Sequence, residues 1–184
     1  QYAVGADGLV AEYLFEDAAK PELDKSGNAN GTNHGTKVVA DPTYGKVLDL
    51  DGKSHVEVPR VVGNDFTISF WMKASPAQAA IPENIGLIDA SASGNAADFR
   101  SMLNKGLVAF EIGDPDEKLK KVIQSKKSVA DGKWHYVAMT RAAASGKIWL
   151  SVDGENQGSA DGPKGPRGDS PTCLLYTSDA ADDD

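Results

Sequence analysis

Chemistry on this 184-residue chain has three sources: its carboxylates, its three histidines and its tryptophans. Retaining hydrolysis of a glycosidic bond needs two carboxyl groups about 5–5.5 Å apart, one as nucleophile and one as acid/base. On a strand that demands acids on one face, two or four positions apart. The densest acidic group, Glu111, Asp114, Asp116 and Glu117, is interrupted by Gly113 and Pro115, which break the alternation after Glu111. These acids are therefore expected in a solvated turn. Asp49 and Asp51 have the required spacing, but Asp51 opens an Asp-Gly turn and no third carboxylate follows on that face. His34, His55 and His135 lack the H-E-x-x-H spacing of a metal site, and neither G-x-S-x-G nor a phosphate loop occurs. The sequence offers no catalytic constellation.

Two tryptophans are more promising. Residues 65–73, D-F-T-I-S-F-W-M-K, alternate with period 2: Phe66, Ile68, Phe70 and Met72 on one face, Thr67, Ser69, Trp71 and Lys73 on the other. Residues 147–153 set Ile148, Leu150 and Val152 against Trp149 and Ser151 in the same way. Trp71 and Trp149 thus stand opposite the apolar rows of their strands. Each either presents an aromatic platform to the apolar C–H face of a sugar ring or is covered by other parts of the chain.

The elements that carry these residues are strands. Residues 133–141 alternate too, with Trp134, Tyr136 and Ala138 opposing His135, Val137 and Met139. Further strands are expected at 9–15, 46–50, 54–58, 85–90, 99–103, 107–112 and 122–128, with turn signals at Asp51-Gly52, Asp131-Gly132 and Asp153-Gly154. Residues 116–127 also admit a short helix, because Leu119, Val122 and Ile123 fall at helical spacing. Many short strands and frequent turns predict an all-β sandwich or jelly roll.

Composition narrows the function classes. The length suits one domain with a sizeable core, and 40% hydrophobic residues argue against a disordered chain. A net charge of −8 without a basic block speaks against a nucleic-acid partner. No apolar run reaches the roughly 18 residues of a membrane-spanning helix. The single Cys excludes an internal disulfide. The chain starts at Gln1 without a charged leader and apolar core, as expected of a processed secreted protein or a fragment.

Six stretches in order resemble the concanavalin A-like, laminin-G-like jelly-roll family of bacterial secreted proteins. They are L-V-A-E-Y-L-F-E-D at 9–17, D-K-S-G-N-A-N-G at 24–31 and V-L-D-L-D-G at 47–52 with V-E-V-P at 56–59. F-T-I-S-F-W-M-K at 66–73, D-G-K-W-H-Y-V-A at 131–138 and I-W-L-S-V-D-G at 148–154 complete them. The resemblance implies an all-β, two-sheet antiparallel jelly-roll sandwich. It also implies a structural Ca2+ held by Glu16 or Asp17 after the first strand and by Asp51 and Gly52 in the Asp-Gly turn. Asp24, Asn28 and Asn30 form a second oxygen-rich loop, which also reads as an Asx turn. Glucanases of this fold use E-x-D-x-x-E, which this chain lacks.

The C-terminus departs from the family. No G-x-I-D-E-V-R-I-Y segment follows, so the sandwich is expected to lack its closing C-terminal strands, expose unpaired edges and fold poorly or aggregate. The run C-L-L-Y-T-S-D-A-A-D-D at 173–183 instead resembles the translation of a transposase-type sequencing adapter. On that reading the domain is 1–172 and residues 173–184 lie outside it. Removing Asp179, Asp182, Asp183 and Asp184 leaves 23 acidic against 19 basic residues, a net charge of −4, and removes the only Cys.

The family and the missing catalytic pair together imply a non-catalytic carbohydrate-binding or adhesion module of a larger extracellular or cell-surface protein. Its expected partners are a polysaccharide or glycan, or a surface protein, besides the other domains of the parent chain. The alternatives are a glucanase- or lyase-type enzyme on the same fold, or a structural, protein-binding module.

Overall fold

A computed structural model describes residues 8–91, 98–167 and 170–176. Among these residues it contains strands β1 (Thr32–His34), β2 (Lys37–Asp41), β3 (Gly45–Asp49), β4 (His55–Pro59), β5 (Phe66–Lys73), β6 (Ile85–Asp89) and β7 (Phe99–Asn104). The series continues with β8 (Leu107–Ile112), β9 (Lys121–Gln124), β10 (Trp134–Ala142), β11 (Lys147–Val152), β12 (Glu155–Asp161) and β13 (Thr172–Tyr176). All ladders are antiparallel. A seven-stranded sheet in the order β1-β4-β13-β6-β7-β8-β9 packs on a four-stranded sheet β12-β11-β10-β5, and β2-β3 forms a separate hairpin. This is the jelly-roll sandwich expected from the alternation.

The core lies between the sheets. The larger sheet contributes Val56, Val58, Phe99, Leu103, Val108, Phe110 and Ile112, and the smaller Phe66, Val137, Met139, Ile148 and Leu150. Phe66 and Phe99 meet across the layers with ring centroids 4.8 Å apart. In β5 the row Phe66, Ile68, Phe70 and Met72 faces this core and Thr67, Ser69, Trp71 and Lys73 face out, as the period requires. The hairpin β11–β12 turns at Asp153-Gly154, both at positive φ (53° and 81°), a type I′ pair whose twist matches the strands.

Buried charge closes one end of the sandwich. Arg141, 1% exposed, continues the inward row of β10 and donates to the carbonyls of Asn64 (3.0 Å), Pro163 (3.1 Å) and Gly165 (2.6 Å). Arg60 pairs with buried Asp98 and donates to Val62 O and Arg167 O, while Arg167 donates to Asp114 at 3.0 Å. Guanidinium groups thus hold the loop after β12, which has no strand ladder of its own.

Several expectations are corrected. Residues 9–15 form no strand; only a bridge joins Tyr13 to Asp24, because Asp24 accepts from Glu12 N (2.6 Å) and Tyr13 OH donates to Ala29 O (2.5 Å). Residues 116–127 form no helix. Leu119 closes a turn onto Asp116 O and is exposed, as is Val122 in β9, so no apolar helical face exists to bury. The strands β1, β2, β12 and β13 lie outside the expected set. The acids near 111–117 are not one solvated turn either. Glu111 is buried on β8, 2.8 Å from Arg100 Nε and 3.4 Å from Lys120 Nζ, while Asp116 and Glu117 are exposed.

Residues of the run at 173–183 take part in the seven-stranded sheet. β13 lies between β4 and β6, with Cys173 buried and Leu175 packed against the core. Backbone ladders are indifferent to side-chain identity, and C-L-L-Y supplies apolar side chains at the two inward positions. Burial pushes the Cys173 thiol up to about 12, helped by Asp98 and Asp89 and opposed by Arg60. Ending the chain at Thr172 should therefore split the sheet between β4 and β6. The expected outcome is a loss of cooperative thermal unfolding by circular dichroism relative to the full chain. An unchanged, sharp transition in residues 1–172 would show that β13 is not needed.

Candidate functional site

The outer face of the four-stranded sheet gathers the exposed aromatic rings. Register puts Trp71 of β5 opposite Tyr136 of β10, and Lys73 opposite Trp134. The β2–β3 hairpin adds Tyr44 from its turn. Tyr44 lies 5.2 Å from Trp71 and 5.0 Å, edge-on, from Trp134, and Trp71 lies 5.2 Å from Tyr136. Trp71 and Tyr44 remain 45% and 41% exposed, so their rings are supported by neighbours yet open to solvent. Offset and edge-on geometries are the favourable ones for aromatic pairs.

Asp41 fastens the hairpin to this face. Its Oδ1 accepts from Thr43 N (2.8 Å), Tyr44 N (3.2 Å) and Trp134 Nε1 (3.2 Å), and its Oδ2 lies 3.4 Å from Lys73 Nζ. Lys73 also sits 5.8 Å from the centre of the Trp134 ring. Desolvation works to raise the Asp41 value, but the donated hydrogen bonds from Thr43, Tyr44, Trp134 and Lys73 outweigh it and hold the carboxyl below its ordinary value.

Trp149 shares the outer face but not the cluster. It stands half-buried opposite Thr140 and Ser159, with Lys147 Nζ 5.8 Å from its ring. Thr140 and Tyr136 are four positions apart on β10, which separates Trp149 from Trp71 by about 13 Å along the strand direction. The structure therefore joins Trp71 to Tyr44, Trp134 and Tyr136 and leaves Trp149 apart. Trp134 and Tyr136 were legible from the period-2 pattern of their strand. Tyr44 was not, since only the folded hairpin brings it over the sheet.

The positions implied for calcium are spread over short turns. Asp17 accepts from Ala19 N, the Glu16 carbonyl accepts from Lys46 Nζ at 2.8 Å, and Asp51 accepts from Lys53 N and Ser54 N ahead of β4. Among the described residues no group of three or more His, Cys, Asp or Glu side chains stands together as a metal cage. The loop at 24–31 is an Asx structure: buried Asp24 accepts from Ser26 Oγ, Asn28 N and Ala29 N, and Asn30 Oδ1 accepts from Asp24 N. His135 bridges two Asp-Gly turns, with Nδ1 2.7 Å from Asp153 and Nε2 3.0 Å from Asp131. Burial opposes its charge, but these two carboxylates outweigh it and raise the imidazole above its ordinary value.

A two-sheet antiparallel sandwich of this topology defines a jelly-roll domain. Residues 50–184 match the model of the concanavalin A-like lectin/glucanases superfamily, and the chain belongs to that family. No curated protein sequence matches it. Similar solved structures include the binding domain of Paraclostridial Mosquitocidal Protein 1, at 16% identity and TM-score 0.70 over 85% of this chain and 42% of that one. The receptor binding domain of botulinum neurotoxin C/D mosaic serotype is similar at 18% identity and TM-score 0.71 over 87% and 41%. The botulinum neurotoxin serotype D ligand binding domain, in complex with N-acetylneuraminic acid, is similar at 17% and 0.71, again over 87% and 41%. The chain thus spans about two fifths of each of these chains, and at these identities the likeness concerns the fold.

The lowered Asp41 value sets a pH dependence. Its hold on the hairpin is present above the ordinary aspartate value of 3.8 and is lost as pH falls through the lower folded value. Tryptophan fluorescence should therefore change in acid below 3.8. Asp41→Ala should already show that changed emission at neutral pH. Emission that is flat with pH and unaltered in Asp41→Ala would mean that the hairpin is held by other contacts.

Proposed function

We propose that this chain is a non-catalytic glycan-binding module of a larger secreted or cell-surface protein, with Trp71 at the centre of its ligand face. The observation that carries the reading is the cluster of exposed Tyr44 and Trp71 with half-buried Trp134 and Tyr136, flanked by Asp41 and Lys73. Aromatic rings bury the apolar face of a sugar, and charged or hydroxyl groups beside them fix its orientation through hydrogen bonds. The complex of a similar fold with N-acetylneuraminic acid supports a saccharide ligand here. Lys73, 43% exposed, supplies a cation at the platform for an acidic sugar.

Catalysis is a poorer fit to the acids. Glu111 is buried against Arg100 and Lys120, and half-buried Asp114 pairs with Arg167, so their charges are neutralised by partners instead of facing an open cleft as a pair. A glycan array probed with the full chain is expected to give binding to a defined saccharide class. Trp71→Ala and Tyr44→Ala should each weaken it by about tenfold or more, about 1.4 kcal/mol. Trp149→Ala, outside the cluster, should weaken it less. Binding to no glycan, with or without calcium, would favour a protein-binding module instead.

Calcium is part of the proposal as a weak structural ion on Glu16 or Asp17 together with Asp51 and the Gly52 carbonyl. Lys46 on the Glu16 carbonyl competes for it. The expected dissociation constant is in the range of extracellular modules, about 10⁻⁴–10⁻³ M. Millimolar calcium should raise the thermal midpoint of the full chain, and Asp51→Ala should abolish the rise. No shift at saturating calcium would overturn the assignment.

A further inference from the structure

The hairpin that carries Tyr44 is an excursion from the larger sheet. The chain leaves that sheet at the end of β1 and returns to it at the start of β4, with β2 and β3 between. At this root, His34 opposite His55 is the last rung of the β1–β4 ladder, backed only by a bridge from Gly35 to the same His55. Val56 and Val58 take the inward places on β4, so both imidazoles stand on the outer face. There they stack, with ring centroids 4.4 Å and planes 19° apart. Beyond the rung, Asn33 Oδ1 accepts from Thr36 N (2.9 Å) and Thr36 Oγ1 (2.6 Å), which ties the end of β1 to the start of β2. Elsewhere the hairpin is held by Asp41 at its tip and by Leu48 against the core.

A stacked imidazole pair accepts one proton readily and a second at a cost. Glu57 Oε2 lies 3.5 Å from His34 Nε2 and supports a charge there. A second proton, on half-buried His55, sets two cations 4.4 Å apart beside a single carboxylate. From β13, Tyr176 stands opposite His55 in register, but its hydroxyl donates to Asp89 of β6 at 3.1 Å. Among the described residues no other ionisable side chain is paired with either ring. We propose that this rung is a proton-operated latch on the candidate ligand face, shut while at most one ring is charged and open in mild acid. Opening frees the root of the hairpin and loosens Tyr44 over Trp71. Glycan is then held at neutral pH and released in mild acid, a consequence that rests on the glycan-binding reading, whereas the latch itself does not. Burial and the neighbouring His34 hold the His55 imidazole below its ordinary value of 6.5, against the pull of Glu57. A histidine lowered in this way contributes its full stability above 6.5 and loses it as pH falls from there through the folded value.

Hydrogen exchange on the full chain, corrected for the intrinsic pH dependence of amide exchange, tests the latch without any ligand. Between about pH 7.5 and about pH 5 the amides at 32–49 of the wild type should lose protection, while those of β10 and β11 keep theirs. His55→Phe keeps a ring on the stack but cannot take the second proton, so its protection at 32–49 should not change over that range. His34→Gln should behave in the same way and serves if His55→Phe does not fold by far-ultraviolet circular dichroism. His135→Gln removes the other histidine near the aromatic face and should retain the wild-type loss. For a glycan that binds the wild type at neutral pH, affinity should fall several-fold over the same range, and in His55→Phe it should stay constant. Wild-type exchange at 32–49 that does not respond to pH overturns the latch. So does a loss of protection that persists in His55→Phe or disappears in His135→Gln. Glycan affinity that is independent of pH overturns its control of the ligand face. Binding to no glycan at all overturns the glycan reading alone, and exchange still decides the latch.

Discussion

The register between β5 and β10 is the constraint on which both the core and the candidate site depend. Eight paired positions, from Phe66 opposite Arg141 to Lys73 opposite Trp134, decide which side chains of the smaller sheet face the larger one. Slipping β5 by one residue against β10, which β11 holds in place, would turn Trp71 into the core and put Phe70 in water. Burial of Val137, Met139, Ile148 and Leu150 therefore selects the register, and the same choice assembles the outer aromatic face. Packing and binding surface are two sides of one ladder.

Polar groups then hold what apolar burial alone leaves loose. Asp24, Asp41 and Arg141 each gather donors or acceptors from segments distant in sequence: Asp24 ties residues 12–30 together, Asp41 seats the hairpin, and Arg141 collects three loop carbonyls. Each is buried and hydrogen-bonded, as burial of a charge demands. Removing any one would leave its partners unsatisfied in the interior, which costs more than the net gain of the bond itself. The loops of this sandwich are thus organised by a few ionised side chains more than by their own backbone propensity.

Most strands were legible because a half-buried strand writes its period into the sequence. The alternations at 65–73, 133–141 and 147–153 reappear as β5, β10 and β11 with the expected faces. The exceptions have physical causes. E-N-Q-G-S-A-D at β12 carries no apolar row, and only its I′ hairpin partner draws it into the sheet. L-V-A-E-Y-L-F at 9–15 looks like a strand, but Asp24 and Ala29 capture its polar groups in a loop. Glu111 looks solvent-facing from its neighbours Gly113 and Pro115, yet Arg100 and Lys120 come to it across the sheet and over the turn. In these places a partner distant along the chain outweighs the local pattern.

By itself, the sequence determined the fold class, the inward rows of the main strands and the outward position of Trp71 and Trp149, because alternation and turn chemistry are local. Tertiary structure alone decided that Trp71 shares a cluster with Tyr44, Trp134 and Tyr136 while Trp149 stands apart. It also decided that residues 173–176 lie inside the larger sheet. Each of these depends on pairings between distant segments, and a residue's own neighbours in sequence say which face it takes but not which strand lies beside it.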